Sequence, residues 1–209
     1  MDPNKAIEVT VGNFHIAALY EDGTVAVEPL RESVQRQHPS WYVWNASRVG
    51  TWHDIVGISA SGYHIAGLES DGTVVAVGVN SLGFHQECDV SSWSDIVKIA
   101  TDTYVTVGLK SDGTVIYASN NEYVISRLGD VSELSNVVDI CMANGYLEYL
   151  QSDGTWKRHD ASGESEIYGV YPDLVSIYGD GWNSIGIMKD GKVVIARSDN
   201  LNTSMVSSW

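Results

Sequence analysis

Short apolar stretches alternate with polar breaks along the whole chain, and the same arrangement returns at nearly even spacing. Each unit has an apolar pair and then, twelve residues later, an apolar anchor that opens a hairpin of the form Leu-x-x-Asp-Gly-Thr-Val. The anchors are Leu19, Leu68, Leu109, Leu150 and Ile187, spaced 49, 41, 41 and 37 residues apart. A fixed period of about 40 residues is typical of a repeat architecture.

Aromatic positions follow the same period. A large apolar residue stands sixteen positions before four of the anchors, at Trp52, Trp93, Leu134 and Tyr171. An aromatic residue stands five positions before four of them, at Phe14, Tyr63, Tyr104 and Trp182. We therefore expect one domain, 1–209, made of five repeats of approximately 5–51, 52–92, 93–133, 134–170 and 171–209.

The local pattern within each repeat predicts β-strands. Stretches such as DIVGISA and YHIAGLES are short, rich in β-branched and aromatic residues, and bounded by Gly or Ser. The Asp-Gly pair after each anchor predicts a type I′ hairpin, in which both central residues have positive φ. The five recurring aspartates are accordingly interpreted as turn residues and not as catalytic acids.

A sheet of about 40 residues cannot cover both of its own faces, whereas sheets stacked radially cover one another. The sequence therefore predicts an all-β fold, a five-bladed β-propeller of four-stranded antiparallel blades with almost no helix. The chain starts and stops at the same phase of the repeat, so we expect adjacent termini, with Trp209 packed against the strand 6–11. A closed monomeric ring is favoured, and a half-ring that closes by dimerisation is the alternative.

The best-kept repeat, from Trp52 to Gly83, has the pattern W-x-D-I-V-x-I-x-x-x-x-x-H-x-x-G-L-x-S-D-G-T-V-x-A-x-G-x-N-x-x-G. It resembles the regulator of chromosome condensation repeat family, most closely its bacterial and phage-type members. The resemblance implies a propeller that serves as a docking platform for other proteins. Family members commonly carry seven blades, so five repeats is a departure, and the outer part of repeats three and four also departs from the pattern.

Composition narrows the class of protein. Apolar residues make up 44% and charged residues 19% of the chain, enough for a hydrophobic core. No apolar run is long enough for a membrane span, and no signal peptide is visible. Cys88 and Cys141 lie in different repeats without metal-type spacing, which favours free thiols in a reducing compartment. We expect a cytoplasmic protein, of a bacterium or of a phage-infected cell.

The charge balance excludes some partners. The formal net charge is −15, from 12 Lys and Arg against 27 Asp and Glu. Bulk binding to nucleic acid or to an anionic membrane needs a positive surface, so neither is expected. Phosphate-binding glycine loops, nucleophile elbows, H-E-x-x-H and C-x-x-C are missing from the sequence. We therefore expect neither catalysis, nor a cofactor, nor a metal.

The first repeat carries an insertion of about eight residues within the segment from Pro29 to Trp52. Basic and aromatic side chains are concentrated there, and together they can stack on flat rings and pair with anions. The candidate contact residues are Arg36, Trp41, Tyr42, Trp44 and Arg48. The alternative is that WYVW is an outer strand whose tryptophans pack on the neighbouring blade.

A second candidate site follows from the repeat, because equivalent positions of a propeller lie on a ring around its axis. Positions four and five before the anchors would form an aromatic, His-bearing collar at one mouth of the channel. Its members are His15, Tyr63, His64, Tyr104, Tyr146 and Trp182. The alternative is that these side chains belong to the core, and two histidines without a carboxylate or thiol partner are weak evidence for a metal.

These observations favour a non-catalytic binding protein. The main hypothesis is a protein-interaction scaffold that meets a basic partner surface, as the acidic charge and the family resemblance suggest. The alternative is a small-molecule binding or sequestering protein for an aromatic, anionic ligand such as a nucleotide signal, in a phage anti-defence role, or for a glycan. The basic, aromatic insertion and the collar favour that alternative.

Overall fold

The structure, a computed structural model, describes residues 5–30, 47–78, 86–159, 161, 166–180, 183–197 and 203–206. Within these residues the chain forms five antiparallel sheets, two of four strands and three of three. The all-β prediction is confirmed, and the sheets are consistent with a β-propeller. The expectation of four strands per blade is met in two sheets, and the closed five-bladed ring stays a prediction.

The strands follow one another in chain order within each sheet. The first sheet contains β1 (Ala6–Val11), β2 (His15–Tyr20) and β3 (Val25–Pro29). The second contains β4 (Ile55–Ser61), β5 (His64–Glu69) and β6 (Val74–Gly78). The third contains β7 (Ile96–Asp102), β8 (Val105–Lys110) and β9 (Val115–Ala118). The fourth contains β10 (Val137–Ala143), β11 (Tyr146–Gln151), β12 (Thr155–Arg158) and β13 (Glu166–Val170). The fifth contains β14 (Leu174–Asp180), β15 (Asn183–Met188), β16 (Val193–Arg197) and β17 (Thr203–Val206).

The chain divides into two compact units, residues 1–108 with 117–121 and residues 109–116 with 122–209. The first unit has a hydrophobic core around Leu19, Trp52 and Ile65. The second has a core around Leu150 and Trp156. Apart from Trp52, which precedes β4, these are repeat anchors or apolar residues of the strands beside them, as expected when each sheet buries one face.

The Asp-Gly turns differ from the predicted type. In the first repeat Gly23 has φ of 81°, whereas Asp22 is not among the residues with positive φ. Gly23 N donates to Tyr20 O at 2.9 Å, and Tyr20 N donates to Thr24 O at 2.9 Å. The prediction of type I′ was therefore wrong, because this is a three-residue loop with a type I turn followed by a left-handed glycine.

The aspartate of this turn has a structural role. Asp22 Oδ1 accepts hydrogen bonds from Thr24 N at 3.0 Å and Thr24 Oγ1 at 2.6 Å. These bonds stabilise the ionised form and lower the pKa of Asp22. The equivalent amide bond recurs at Asp71, Asp112, Asp153 and Asp190. The interpretation of the five aspartates as turn residues is confirmed.

Three of these turns are also bonded to the first strand of the next repeat. Ile55 N donates to Gly23 O at 3.1 Å, and Ile96 N donates to Gly72 O at 3.0 Å. The second unit repeats the arrangement with Val137 N and Gly113 O at 3.2 Å. The Asp-Gly turn therefore both closes its own hairpin and satisfies the first amide of the following sheet.

Acidic side chains also bond the first strand of one sheet to the first strand of the next sheet. Glu8 Oε2 on β1 accepts a hydrogen bond from Ile58 N on β4 at 3.1 Å. Asp139 occupies the equivalent repeat position on β10, and its Oδ2 accepts from Ile177 N on β14 at 2.7 Å. Asp139 is buried, with 4% of its surface exposed. Carboxylates at this position thus satisfy edge amides within each unit.

Among the described residues, the counterparts of β13 in the first three repeats form turns. The residues equivalent to β13 are 47–51, 88–92 and 129–133, and none of them is in a strand. Each segment places one valine in the core, and the carbonyl of that valine accepts the amide three residues on. These valines are Val49, Val90 and Val131, and they are 0%, 1% and 6% exposed. At these positions the chain forms a local Val-x-x-Trp/Leu turn, whereas β13 pairs with β12 in the fourth sheet.

Among the described residues, helix is confined to short segments, in agreement with the all-β prediction. Residues 47–49 are helical, Gln86–Cys88 is a 3₁₀ turn, and α1 spans Glu122–Leu128. None of the described helices is long and apolar enough to cross a membrane. Trp209, expected to pack on β1, lies outside the described residues, and on that strand Ile7, Val9 and Val11 are each more than half exposed.

The fourth and fifth sheets enclose a buried carboxylate in the second unit. Glu148 is 1% exposed and stands at the repeat position occupied by Ala17, Ala66 and Val107 elsewhere. Its Oε1 accepts from Ser184 Oγ at 2.8 Å. Three further donors surround it: Tyr168 OH at 3.0 Å, Trp156 Nε1 at 3.1 Å and Cys141 Sγ at 4.0 Å. Burial raises the pKa of the Glu148 carboxyl, although the hydrogen bonds from Ser184, Tyr168 and Trp156 oppose the rise.

Candidate functional site

A groove of about 430 Å³ lies beside β6 in the first unit. One wall is the strand itself, and the other two are the segment before β4 and the segment after the Gln86–Cys88 turn. The lining residues are Arg48, Thr51, Trp52, His53, Glu69, Val74, Val75, Ala76, Val77, Cys88, Val90 and Ser91. We call this space the β6 groove.

The backbone edge of β6 faces the groove. Side chains of a strand alternate between its two faces, so four consecutive lining residues, 74–77, indicate that the edge borders the space. The other edge of β6 pairs with β5, with Ala76 opposite Ala66. In the fourth sheet β12 pairs with β13 at the corresponding edge. The β6 groove therefore occupies the position of a fourth strand.

The repeat explains why the space is open. Residues 88–92 are the counterpart of β13, but Val90 is buried and its carbonyl accepts the Trp93 amide at 3.0 Å. Residues 88–92 therefore form a turn and do not form a strand paired with β6. The opposite wall, around Arg48 and Thr51, is the same turn of the preceding repeat, where Thr51 Oγ1 donates to Arg48 O at 2.7 Å.

The groove is electrostatically mixed. Arg48 is exposed at its rim, and His53 Nδ1 lies 2.8 Å from Asp54 Oδ2 in an exposed pair. Glu69 Oε2 accepts from Thr73 Oγ1 at 2.6 Å. Burial raises the pKa of the Cys88 thiol to about 12, with the Glu87 charge adding to the rise and Arg48 opposing it. Cys88 is therefore a protonated thiol at neutral pH and not a nucleophile.

The predicted binding insertion meets this groove at one end. Arg48 is the described member of that set, and it lines the β6 groove. Arg36, Trp41, Tyr42 and Trp44 lie outside the described residues. The sequence analysis did not identify the β6 edge as a candidate site. The available signal was Val90-Ser-Ser-Trp93, a turn sequence at the position where a fourth strand was expected.

The two collar histidines are in the interior of the first unit. His15 and His64 are both 0% exposed. His64 Nε2 lies 3.0 Å from Thr106 Oγ1, and Thr106 Oγ1 donates to Glu87 O at 2.6 Å. Burial lowers the pKa of His15 to about 4, with the backbone of His64 opposing the shift. Both rings are therefore packed within protein rather than presented at a surface.

The collar aromatics are more accessible. Tyr63 is 36% exposed, and its ring stacks on Phe14 with centroids 5.0 Å apart. Tyr104 is half-buried, and its carbonyl accepts from Ser119 Oγ at 2.7 Å. Tyr146 is half-buried in the second unit, between two arginines, whereas Trp182 lies outside the described residues. Searched over the described part of the chain, no group of three His, Cys, Asp or Glu side chains is arranged to hold a metal ion.

No protein-family model matches the sequence, and no curated protein matches it. Solved structures do match. Human WBSCR16 superposes with a TM-score of 0.70 at 12% identity, over 98% of this chain and 67% of that one. Prp20p from Saccharomyces cerevisiae gives a TM-score of 0.61 at 19% identity, over 94% of this chain and 58% of that one.

A third match, the ectodomain of the receptor kinase CR4 from Physcomitrella patens, gives a TM-score of 0.55 at 14% identity, over 88% of this chain and 49% of that one. WBSCR16 and Prp20p are RCC1-family proteins. The chain thus spans two thirds or less of the length of these structures. At such low identity the similarity establishes the fold and not the activity. The regular repeats, the five antiparallel sheets and these superpositions together support an RCC1-like β-propeller fold.

Proposed function

We propose that this protein is a non-catalytic protein-interaction scaffold, and that its β6 groove receives an extended segment of a protein partner. The observation that carries the proposal is the β6 edge, which borders the groove over residues 74–77. An extended peptide can pair with such an edge as an added strand, so that main-chain hydrogen bonds supply affinity. The segment would occupy the position that β13 holds in the fourth sheet.

The charges around the groove suggest what the partner carries. Arg48 at the rim favours an acidic side chain at one end of the bound segment, because a guanidinium pairs well with a carboxylate. Outside the groove the net charge of −15 favours a partner whose remaining surface is basic. The predicted contacts Arg36, Trp41 and Trp44 would extend the same surface from the insertion.

Structural neighbours support a protein partner. Prp20p from Saccharomyces cerevisiae binds Gsp1p and histones. That property belongs to Prp20p, and the shared fold alone does not transfer it. It does favour a protein over a small molecule as the first ligand class to test.

Selection of linear peptides from a displayed random library on the immobilised protein tests the proposal. We expect the enriched peptides to alternate apolar and polar residues and to share an acidic position. Arg48→Glu should weaken the selected peptide at least about tenfold, since a charge pair is replaced by a repulsion. Lys189→Glu makes the same charge change at an exposed residue of the second unit and should alter binding less than about twofold.

Failure to enrich any peptide family would contradict the groove proposal. Equal losses of peptide affinity in Arg48→Glu and Lys189→Glu would also contradict it. Replacement of Trp41 together with Arg48 by Ala extends the test to the insertion. Replacement of Tyr63 together with His64 by Ala tests the collar. Binding lost in the collar variant and retained in the insertion variant would move the site to the collar.

A further inference from the structure

Two arginine and two tyrosine side chains come together in the second unit, at the tip of the β10–β11 hairpin. The guanidinium carbon of Arg127 lies 4.3 Å from the ring centroid of Tyr123 and 4.3 Å from that of Tyr146. The guanidinium carbon of Arg158 lies 4.6 Å from the ring centroid of Tyr146. Two cations therefore converge on one ring, in a chain whose net charge is −15. We call this group the arginine–tyrosine cluster.

The hairpin turn fixes Arg127 in place. Asn144 and Gly145 have φ of 52° and 76°, as a two-residue type I′ turn requires. Arg127 Nη1 donates to Asn144 O at 2.7 Å. A Cβ atom on residue 145 would lie 3.0 Å from the same nitrogen, so glycine leaves room for the guanidinium. Because Arg127 is already ordered, little side-chain entropy remains to be lost when an anion binds.

The β-ladder brings Arg158 to the same place. Arg158 on β12 pairs with Glu148 on β11, and Tyr146 precedes Glu148 by two residues on the same face. Arg158 and Tyr146 are thus diagonal neighbours, within reach of each other's side chains. Tyr123 on α1 is 59% exposed, whereas both arginines and Tyr146 are half-buried. The cluster is therefore accessible from solvent.

We propose that the arginine–tyrosine cluster binds a phosphate group. A guanidinium is planar and presents its N–H groups in the plane of the fork, which matches the oxygens of a phosphate. The Arg127 guanidinium lies against the rings of Tyr123 and Tyr146, and one of its nitrogens, Nη1, donates to Asn144 O. The Arg158 guanidinium, which lies against the same Tyr146 ring, adds a second positive charge to the cluster. The phosphate can come from a nucleotide or from a phosphorylated side chain.

Isothermal titration calorimetry on the full chain tests the proposal with three probes. The probes are inorganic phosphate, a nucleoside 5′-monophosphate and a phosphoserine peptide beside its unphosphorylated form. We expect saturable binding of phosphate-bearing probes, with the tightest probe identifying the source. Arg158→Gln should weaken it at least about tenfold.

Lys157→Gln is the matched control, since it removes the same charge from the adjacent residue on the opposite face of β12. We expect it to change affinity by less than about twofold. Arg158→Lys keeps the charge but loses the fork, and it should bind more weakly than the wild type. Arg127→Gln should also lose binding, and its circular dichroism spectrum and melting curve establish that the variant is folded.

Three results would overturn the proposal. One is the absence of saturable binding for all three probes. Another is an equal loss in Lys157→Gln and Arg158→Gln, which would reflect net charge alone. The last is binding of the phosphate-bearing probes that Arg158→Gln leaves unchanged. The β6 groove lies in the first unit and is tested with different probes, so neither result decides the other.

Discussion

Truncation of Glu148 to alanine should be one of the most destabilising single changes in the second unit. The carboxylate accepts hydrogen bonds from Ser184, Tyr168 and Trp156, all buried. Removing the acceptor leaves these donors inside the protein without it. A buried donor left without a partner costs about 1–3 kcal/mol. The two hydroxyl groups can rotate toward other acceptors, whereas the indole N–H cannot.

The expected loss follows from these contacts. One full penalty for Trp156 and partial penalties for the two hydroxyls give a fall of about 3–4 kcal/mol in the free energy of unfolding. Typical domains have about 5–15 kcal/mol in total, so the variant should remain folded but close to its limit. Urea unfolding followed by circular dichroism measures the loss.

Two further variants make the reasoning refutable. Glu133→Ala removes an exposed carboxylate and should change stability by about 0.5 kcal/mol or less. Tyr168→Phe removes one donor, and a double-mutant cycle with Glu148→Ala should give a coupling of about 1 kcal/mol or more. A loss below about 1 kcal/mol for Glu148→Ala, or a coupling near zero, would show that the buried bonds contribute little.

Four other outcomes are expected. Burial raises the pKa of Glu148, so the unfolding free energy of the wild type relative to Glu148→Gln should increase as pH falls from about 7 to about 4.5; a pH-independent difference would contradict this. Burial lowers the pKa of His15 to about 4, so the folded protein binds this proton less readily than the unfolded chain. The free energy of unfolding of the wild type should therefore fall by about 3 kcal/mol relative to His15→Gln as pH falls from 6.5 to about 4. A constant difference between the two proteins in acid titrations would contradict that. Gly108→Ala should lower the melting temperature, since its Cβ would lie 2.8 Å from an indole carbon beneath it and overpacking costs about 1–3 kcal/mol; an unchanged melting curve would show that the ring moves freely. In urea titrations Asp139→Ala should lower the free energy of unfolding more than Glu8→Ala does. The two carboxylates make equivalent bonds, but Asp139 is buried and Glu8 is exposed. The reverse order would refute the reasoning.

The sequence by itself determined the repeats and their local structure. The anchors, the strands and the Asp-Gly-Thr turns depend on residues within about five positions of each other, as the Asp22–Thr24 bonds illustrate. Interactions of that range are present in the sequence as spacing. The type of turn was predicted wrongly because Asp-Gly suits both a type I′ turn and a type I turn followed by a left-handed glycine, and loop length decides between them.

The number of strands in each sheet and the contacts between polar side chains of different sheets depend on tertiary packing. Among the described residues of the second repeat, a turn that buries Val90 occupies the position where a fourth strand was expected, and it borders the β6 groove. Glu148 finds Ser184 36 residues away along the chain. Arg127 and Arg158 both contact the Tyr146 ring, because α1 and β12 flank the same hairpin tip. Such contacts join residues that no local pattern relates, so packing alone determines them.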